Sequence, residues 1–413
     1  MRLSLDGPNP GQVVHQVQTT TMYGRIPCYK LSGSAHQRGV AHGEGARDLI
    51  ALAIEIYRDW FDWFAGVTWQ EALGGAASSW GMIERHAPAI AEEIRGIADG
   101  SGRELMEIVA LNARTEIAFG LGIARQMAQA PRDDEGCTSF AVLPEHTGGL
   151  GVLCGQNWDW QKACMPVRVA LDIELPDDLR LLSFGEAGQV GKIGINNAGL
   201  VVCLNLLATA ADRDHGLPVH VLCRLALEQR RLSDTMRVIA SYPRAASSNL
   251  LVARGTPDLA GEALDIEYSP NRWAAIEPED GLLVHANHFT RDSASTDQFE
   301  VRPTGKSSFV RQMRARRLLE AACAGSGGIA GPQSRGKVSP ADIMQVMADH
   351  FDHPYSICNH VSGLPGERGQ TNLSLIAVPS QGYFWLSDGP PCGEGRPAGQ
   401  PTFTRYLVPW ATA

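Results

Sequence analysis

Apolar residues recur at spacings of three and four through Leu49, Leu52, Ala53, Ile56, Trp60, Trp63 and Phe64. That period predicts one face of an amphipathic helix. Similar patterning predicts helices over 83–98 and 103–119. The stretch 127–135, with Pro131 and three acids, predicts a loop. Beyond it the period changes. Runs rich in β-branched and aliphatic residues, bounded by Gly, Pro and Asp, predict strands over 151–157, 167–175 and 179–184. Residues 191–206 read as two strands joined at Asn196-Asn197-Ala198-Gly199, a turn-forming tetrapeptide. Helices are predicted over 218–229 and 233–241, the second opened by a Ser cap. Strands return at 250–253, 263–268 and 282–286. A basic amphipathic helix is expected over 309–322, a Gly-rich loop over 324–332, a helix over 339–349, and two closing strands over 373–378 and 382–386. Helices first, then strand runs with short turns and helical inserts, favour an α+β layered domain over a doubly wound parallel sheet.

Composition narrows the function classes. The 413-residue chain carries 36 basic and 45 acidic residues for a net charge of −9, with no long basic cluster. Nucleic-acid and anionic-membrane partners are therefore disfavoured. No apolar run approaches the length of a membrane span, and the first residues break before an apolar signal core could form. A cytoplasmic protein is expected. The nine cysteines are an odd number without a C-x-x-C pair, and most, such as Cys154, Cys203 and Cys223, sit in apolar sequence as small buried hydrophobes.

Cys137 differs. It follows Gly136 and the hydrophilic run Arg132-Asp133-Asp134-Glu135, and precedes Thr138 and Ser139 at the start of strand-like sequence. A chain cut between Gly136 and Cys137 would free an α-amine whose ordinary pKa, about 7.7–8.0, suits a general base next to its own thiol. Gly136 would crowd the scissile carbonyl least and tolerate strained geometry. Asp159, at the end of the following strand in Gly155-Gln156-Asn157-Trp158-Asp159-Trp160, is placed to hold that amine. Asn287, closing the strand Val284-His285-Ala286, can donate an amide N–H to an oxyanion. The pairs His285/His288 and His350/His353 lack a third ligand at finger-like spacing, so no metal is expected. The glycines around Gly191-Lys192-Ile193-Gly194 lie in a hairpin and precede no helix, which excludes a dinucleotide loop.

Five segments occur in an order that resembles one known family: Leu111-Asn112-Ala113-Arg114-Thr115-Glu116-Ile117, Gly136-Cys137-Thr138, Gly155-Gln156-Asn157-Trp158-Asp159, Gly191-Lys192-Ile193-Gly194-Ile195-Asn196 and His285-Ala286-Asn287-His288. The chain is similar, from about Gly39 to its final strands, to the acyl-coenzyme A:isopenicillin N (6-aminopenicillanic acid) acyltransferase family. This is the C45 group of autoproteolytic cysteine N-terminal nucleophile hydrolases. The resemblance implies a four-layer αββα sandwich with a largely helical N-terminal segment. It also implies a precursor cut into an α subunit (1–136) and a β subunit (137–413) that stay associated as one composite domain. It carries catalytic roles onto Cys137, Asp159 and Asn287. Weaker substrate-contact candidates are Trp158, Ser248, Tyr355 and Ser356. Arg368 and Gly369 match the family, whereas Asn359 stands where the fungal acyltransferase has an arginine tied to processing and to an anionic substrate region.

The function expected is therefore that of a self-cleaving cysteine amidohydrolase acting on a linear N-acyl amide through a Cys137 thioester. It needs no cofactor, and its partners are small acyl amides or acyl thioesters. The alternative is acyl transfer with acyl-CoA as co-substrate. A second alternative is an unprocessed, non-catalytic binding protein on the same scaffold.

Overall fold

The computed structural model describes residues 19–121, 136–290, 307–325, 337–364, 366–393 and 401–411. The loops expected over 127–135 and most of 324–332 lie outside these. Among the described residues, fifteen strands form two sheets. β1 (Thr19–Tyr23), β2 (Ile26–Leu31), β5 (Arg168–Leu175), β6 (Leu179–Glu186), β7 (Ile193–Asn196), β8 (Leu200–Leu206), β9 (Ser248–Gly255), β10 (Gly261–Tyr268) and β11 (Trp273–Ile276) lie side by side in that order. Of these strands, only β2 and β5 pair in parallel. The second sheet has the order β12 (Leu282–His285), β3 (Thr138–Val142), β4 (Leu153–Gln161), β13 (Gly369–Val378), β14 (Tyr383–Ser387) and β15 (Thr404–Leu407), antiparallel throughout.

The sheets face each other through β3 and β4 against β8 and β9. Helices Val219–Leu227 and Leu232–Ser241 cover the outside of the larger sheet, and Ser308–Ala324 and Pro340–Met347 cover the smaller. This is the αββα sandwich the resemblance implies. Strands such as β4, β8 and β13 are buried along their whole length because both of their faces are covered. Of the three, β8 is a near-continuous apolar run, whereas β4 and β13 also bury polar residues such as Gln156, Asn157, Asp159, Gln370 and Asn372.

The N-terminal segment is helical, as expected, but its elements fall differently. Helix Arg47–Trp60 buries Ile50, Ala53, Ile54, Tyr57 and Trp60, continued by Phe61 and Phe64, whereas Leu52 is 42% exposed. The buried stripe is thus offset from the one the spacing predicts within the regular helix itself, and the wider turn Phe61–Ala65 that follows buries Phe61 and Phe64. Helix Ala35–Gly45 was not expected. Its glycines, poor helix formers, permit close contact with helix Pro88–Ser101: a Cβ at Gly39 would lie 2.0 Å from the Glu93 carbonyl. Helix Leu232–Ser241 begins one residue earlier than predicted. Its N-cap is Arg231, without a side-chain cap bond, so Ser233 does not cap it. β1, β2, β11 and β15 were also unexpected, being short edge or near-edge strands with weak alternation.

Buried polar contacts join the N-terminal segment to the remainder. Glu93 accepts from Arg224 Nη1 at 2.8 Å and from Arg38 Nε at 3.2 Å. Burial opposes its charge, but the two guanidiniums win and hold the carboxyl below its usual range. Tyr57 Oη donates to Glu186 at 2.7 Å. Asn112 donates to the Gly188 carbonyl (2.8 Å) and accepts from the Val190 amide (2.9 Å), fixing the loop that leads to Lys192.

Candidate active site

Cys137 immediately precedes β3. β3 is flanked by β4, with Thr138 opposite Asn157, and by β12, with Ser139 opposite His285. Asp159 lies on β4 opposite Thr371 of β13, and the chain leaving β12 reaches Asn287. Neighbouring strands of one sheet thus gather Cys137, Asp159 and Asn287. The opposing sheet adds Lys192, just before β7, and Leu204 and Leu206 of β8. With Gly136 and Trp160 these residues line a small cavity.

The Cys137 backbone nitrogen donates to Asn287 Oδ1 at 2.6 Å, while Asn287 Nδ2 donates to the Leu206 carbonyl at 3.0 Å. The Cys137 carbonyl accepts from Asn205 Nδ2 at 3.1 Å and from Arg311 Nη1 at 2.8 Å. Arg311 also reaches Thr138 Oγ1 (2.9 Å) and Asn287 Oδ1 (3.2 Å). Cys137 is therefore gripped at its nitrogen and its carbonyl while its Sγ lies 3.8 Å from the Asp159 carbonyl oxygen. Asp159 Oδ1 accepts from Thr371 Oγ1 at 2.6 Å, and its Oδ2 has no hydrogen-bond partner among the described residues.

Three groups here titrate away from their ordinary values. Burial, reinforced by Asp159, pushes the Cys137 thiol up to about 12, although Lys192 and Arg311 pull the other way. Burial raises the Asp159 carboxyl to about 8 against the charge of Arg311. Burial and Arg114 lower the Lys192 ammonium to about 7. The thiol is thus neutral at physiological pH in the continuous chain, beside two groups that change charge near neutrality. Paired groups whose environments shift them toward working pH are a common mark of acid–base sites. Lys192 Nζ sits 3.8 Å above the Trp158 ring, a cation–π contact that helps hold a buried cation.

Gly136 does not adopt a left-handed backbone. Its requirement is space: a Cβ would lie 2.4 Å from Arg311 Nη2. The remaining sequence candidates lie outside the cavity lining. Trp158 is fully buried beneath Lys192, Ser248 Oγ donates to the Ser247 carbonyl, Ser356 Oγ donates to the Cys358 carbonyl, and the Tyr355 hydroxyl meets Glu367. His285 and His288 are engaged by Glu267 (2.9 Å) and Ser308 (2.7 Å).

Sequence reading did not single out Lys192 or Arg311. Lys192 was visible inside the Gly191–Asn196 motif, but nothing local separates a buried lysine from an exposed one. Arg311 begins a run of four arginines in seven residues, which reads as a solvated helix face, yet Arg311 is buried.

The family model described as acyl-coenzyme A:6-aminopenicillanic acid acyl-transferase matches residues 146–364. The acyl-coenzyme A:6-aminopenicillanic-acid-acyltransferase 40 kDa form of Emericella nidulans is 31% identical over 347 residues, covering 83% of this chain and 87% of the relative. Among solved structures, conjugated bile acid hydrolase from Clostridium perfringens is similar at a TM-score of 0.44 and 9% identity, over 66% of this chain and 92% of its own. Penicillin V acylase from Agrobacterium tumefaciens is similar at 0.40 and 13%, over 66% and 86%. No helix among the described residues is long and apolar enough to cross a membrane. By the extent of the family match and the identity of its relative, the chain belongs to the acyl-coenzyme A:6-aminopenicillanic acid acyl-transferase family, and it is an enzyme.

Proposed function

We propose that the chain cuts itself between Gly136 and Cys137 and then acts as a cysteine N-terminal nucleophile amidohydrolase on a linear N-acyl amide. The observation that carries this is the grip on Cys137. Its nitrogen is held by Asn287 and its carbonyl by Arg311 and Asn205, inside a cavity shared with Asp159 and Lys192. In the uncut chain that nitrogen is an amide and cannot serve as a base. Asp159, ionising near 8, is then the base for the thiol. The thiolate attacks the Gly136 carbonyl carbon, the Gly136–Cys137 C–N bond breaks, and the nitrogen leaves as an amine carrying the proton taken from the thiol. The resulting thioester is hydrolysed by water to a Gly136 carboxylate and a free Cys137 thiol.

In turnover the new α-amine takes the thiol proton as sulfur attacks the substrate acyl carbon, and gives it to the departing amine. Asp159 Oδ2 has no partner among the described residues and is the acceptor for that amine. Asn287 Nδ2 is the oxyanion donor once it exchanges the Leu206 carbonyl for the substrate oxygen, and Lys192 adds positive charge in the same cavity. The α and β fragments stay together through the Glu93 and Asn112 contacts and the shared sheet. Nine free cysteines fit a reducing, cytoplasmic setting.

Acyl transfer is the competing reading, favoured by the name of the Emericella nidulans relative. Hydrolysis is preferred because Asn359 stands where the fungal enzyme has its arginine. A panel of N-acyl amides, run beside acyl-CoA with and without amine acceptors, separates the two. Acid release from amides without an acceptor supports hydrolysis, whereas CoA release only in the presence of an amine contradicts it.

Gly136→Ala tests the grip itself. The added methyl pushes Arg311 away from the Cys137 carbonyl, at the cost of one charge-assisted hydrogen bond of about 1.5–3 kcal/mol. Self-cleavage is expected to slow roughly 10- to 100-fold, measured as a time course on denaturing gels. An unchanged rate would remove Arg311 from the processing machinery.

A further inference from the structure

Away from the cavity, the fold assembles a second set of reactive side chains. His350, Cys358, His360 and Cys392 place one potential ligand atom each within 4.8 Å of one another. His360 Nε2 lies 3.3 Å from Cys358 Sγ, 3.4 Å from Cys392 Sγ and 3.2 Å from His350 Nε2. A neutral imidazole nitrogen has either one proton or one lone pair, so hydrogen bonding cannot account for three such neighbours. Tetrahedral zinc does. Zn–S of about 2.3 Å and Zn–N of about 2.0–2.1 Å give ligand–ligand edges of roughly 3.3–3.8 Å, close to the spacings seen. Two thiols and two imidazoles without a carboxylate also form the donor set that prefers zinc to magnesium or calcium.

The ligands rest on a prepared backbone. The Cys358 amide donates to the Asp349 carbonyl at 3.1 Å, and the His360 amide to the Pro354 carbonyl at 2.9 Å. Asn157 Nδ2 on β4 donates to the Met347 and Ile357 carbonyls, both at 2.8 Å. Between the two ligands, Asn359 donates its amide to Thr371 Oγ1 (3.0 Å) and accepts from the Thr371 amide (3.0 Å). Two ligands are thus anchored before any ion arrives, which lowers the ordering cost of binding. Cys392, beyond β14, is brought in from a separate part of the chain.

We propose that His350, Cys358, His360 and Cys392 bind one zinc ion at a structural Cys₂His₂ site that ties the segment at Cys392 to the 349–360 segment. The four ligands close the coordination shell, so the ion serves the fold and takes no part in the amide chemistry. The sequence reading missed it because the ligand spacings are not finger-like and Cys392 is remote in sequence. The ion would also brace Asn359, hence Thr371, which holds Asp159.

The test uses the full chain without a histidine tag, purified from zinc-supplemented cells and analysed by elemental mass spectrometry. One zinc per chain is expected, falling to near zero in Cys392→Ser and in His360→Ala with the circular dichroism retained. Should those variants fail to fold, cobalt exchanged into the wild-type protein decides. Thiolate-to-cobalt charge-transfer bands with the intense visible bands of a tetrahedral ion support the site. Wild-type protein that holds no zinc after incubation with it would overturn the proposal. So would zinc retained undiminished in both variants, a cobalt spectrum without thiolate bands, or a Cys358–Cys392 disulfide in protein kept under reducing conditions.

Discussion

Cys137→Ala is expected to run as one uncut chain of 44.5 kDa and to show no amide turnover. Two losses coincide because one atom serves both reactions. Without the thiol the Gly136 carbonyl has no attacking group, so the amine that would act as base is never released. A loss on the order of 10⁶-fold is the scale associated with removing a catalytic nucleophile. The other cavity-lining groups are Asp159, Lys192, Asn287, Trp160 and two leucines beside Gly136, none of them a hydroxyl or thiol. Denaturing gels and turnover of a chromogenic amide measure the two effects. Cleavage at the same bond in Cys137→Ala would mean that another protease makes the cut. Cys137→Ser is the informative companion: a hydroxyl can make the same attack, so slow cleavage of that variant would locate the chemistry in the side chain.

Asp159→Asn has the second largest expected effect, and its sign on stability is opposite to its sign on activity. The amide keeps an oxygen for Thr371 Oγ1 but cannot take a proton. Self-cleavage should therefore fall roughly 10²- to 10⁴-fold, the usual contribution of a positioned base. Wild-type cleavage should accelerate as the pH rises toward and past 8, where the carboxyl ionises, and the variant should lose that rise.

For stability, the folded-state pKa is raised above the unfolded value because burial disfavours the charge. Between the unfolded value near 3.9 and the folded value near 8, the folded chain holds a proton that the unfolded chain has lost. The favourable contribution is thus fully present below the unfolded value and is lost as pH rises through this window. The amide of the variant does not titrate and has no such dependence. In the Cys137→Ala background, where both chains are uncut, the melting temperature of Asp159→Asn relative to its parent should rise between pH 5 and pH 8.5. A difference that stays flat with pH would show that the carboxyl is not held protonated by its surroundings.

Much of this site was legible before the fold was known, for identifiable reasons. The change from helical to strand period around Cys137 marks a true boundary, because β3 begins at Thr138. The hairpin over 191–206 was clear because Asn196 to Gly199 is strong turn sequence between aliphatic runs. Asp159 and Asn287 were singled out because the resemblance carries catalytic roles onto them; the expectation that each ends a strand is only approximate, since β4 runs on to Gln161 and Asn287 lies two residues beyond β12. What local pattern could not give was burial of charge. Lys192 turns inward because it precedes β7 in the sheet that faces the nucleophile's own, and Arg311 because helix Ser308–Ala324 packs on β12 beside β3. The helical stripe expected from Leu49 was misplaced because apolar residues occupy two adjacent faces of that helix, and the one with Ile50, Ile54 and Tyr57 is buried rather than the one with Leu49, Leu52 and Ile56. The cluster at His350, Cys358, His360 and Cys392 was invisible for a related reason: its fourth member arrives through β13 and β14.

The central claim is that the peptide bond before Cys137 is broken by the chain itself. N-terminal sequencing with intact mass measurement, after incubation of purified wild-type protein, addresses it most directly. Two fragments are expected, one ending at Gly136 and the other beginning Cys137-Thr138-Ser139, at a first-order rate independent of protein concentration. A chain that stays intact after prolonged incubation, or a cut at any other bond, would contradict it.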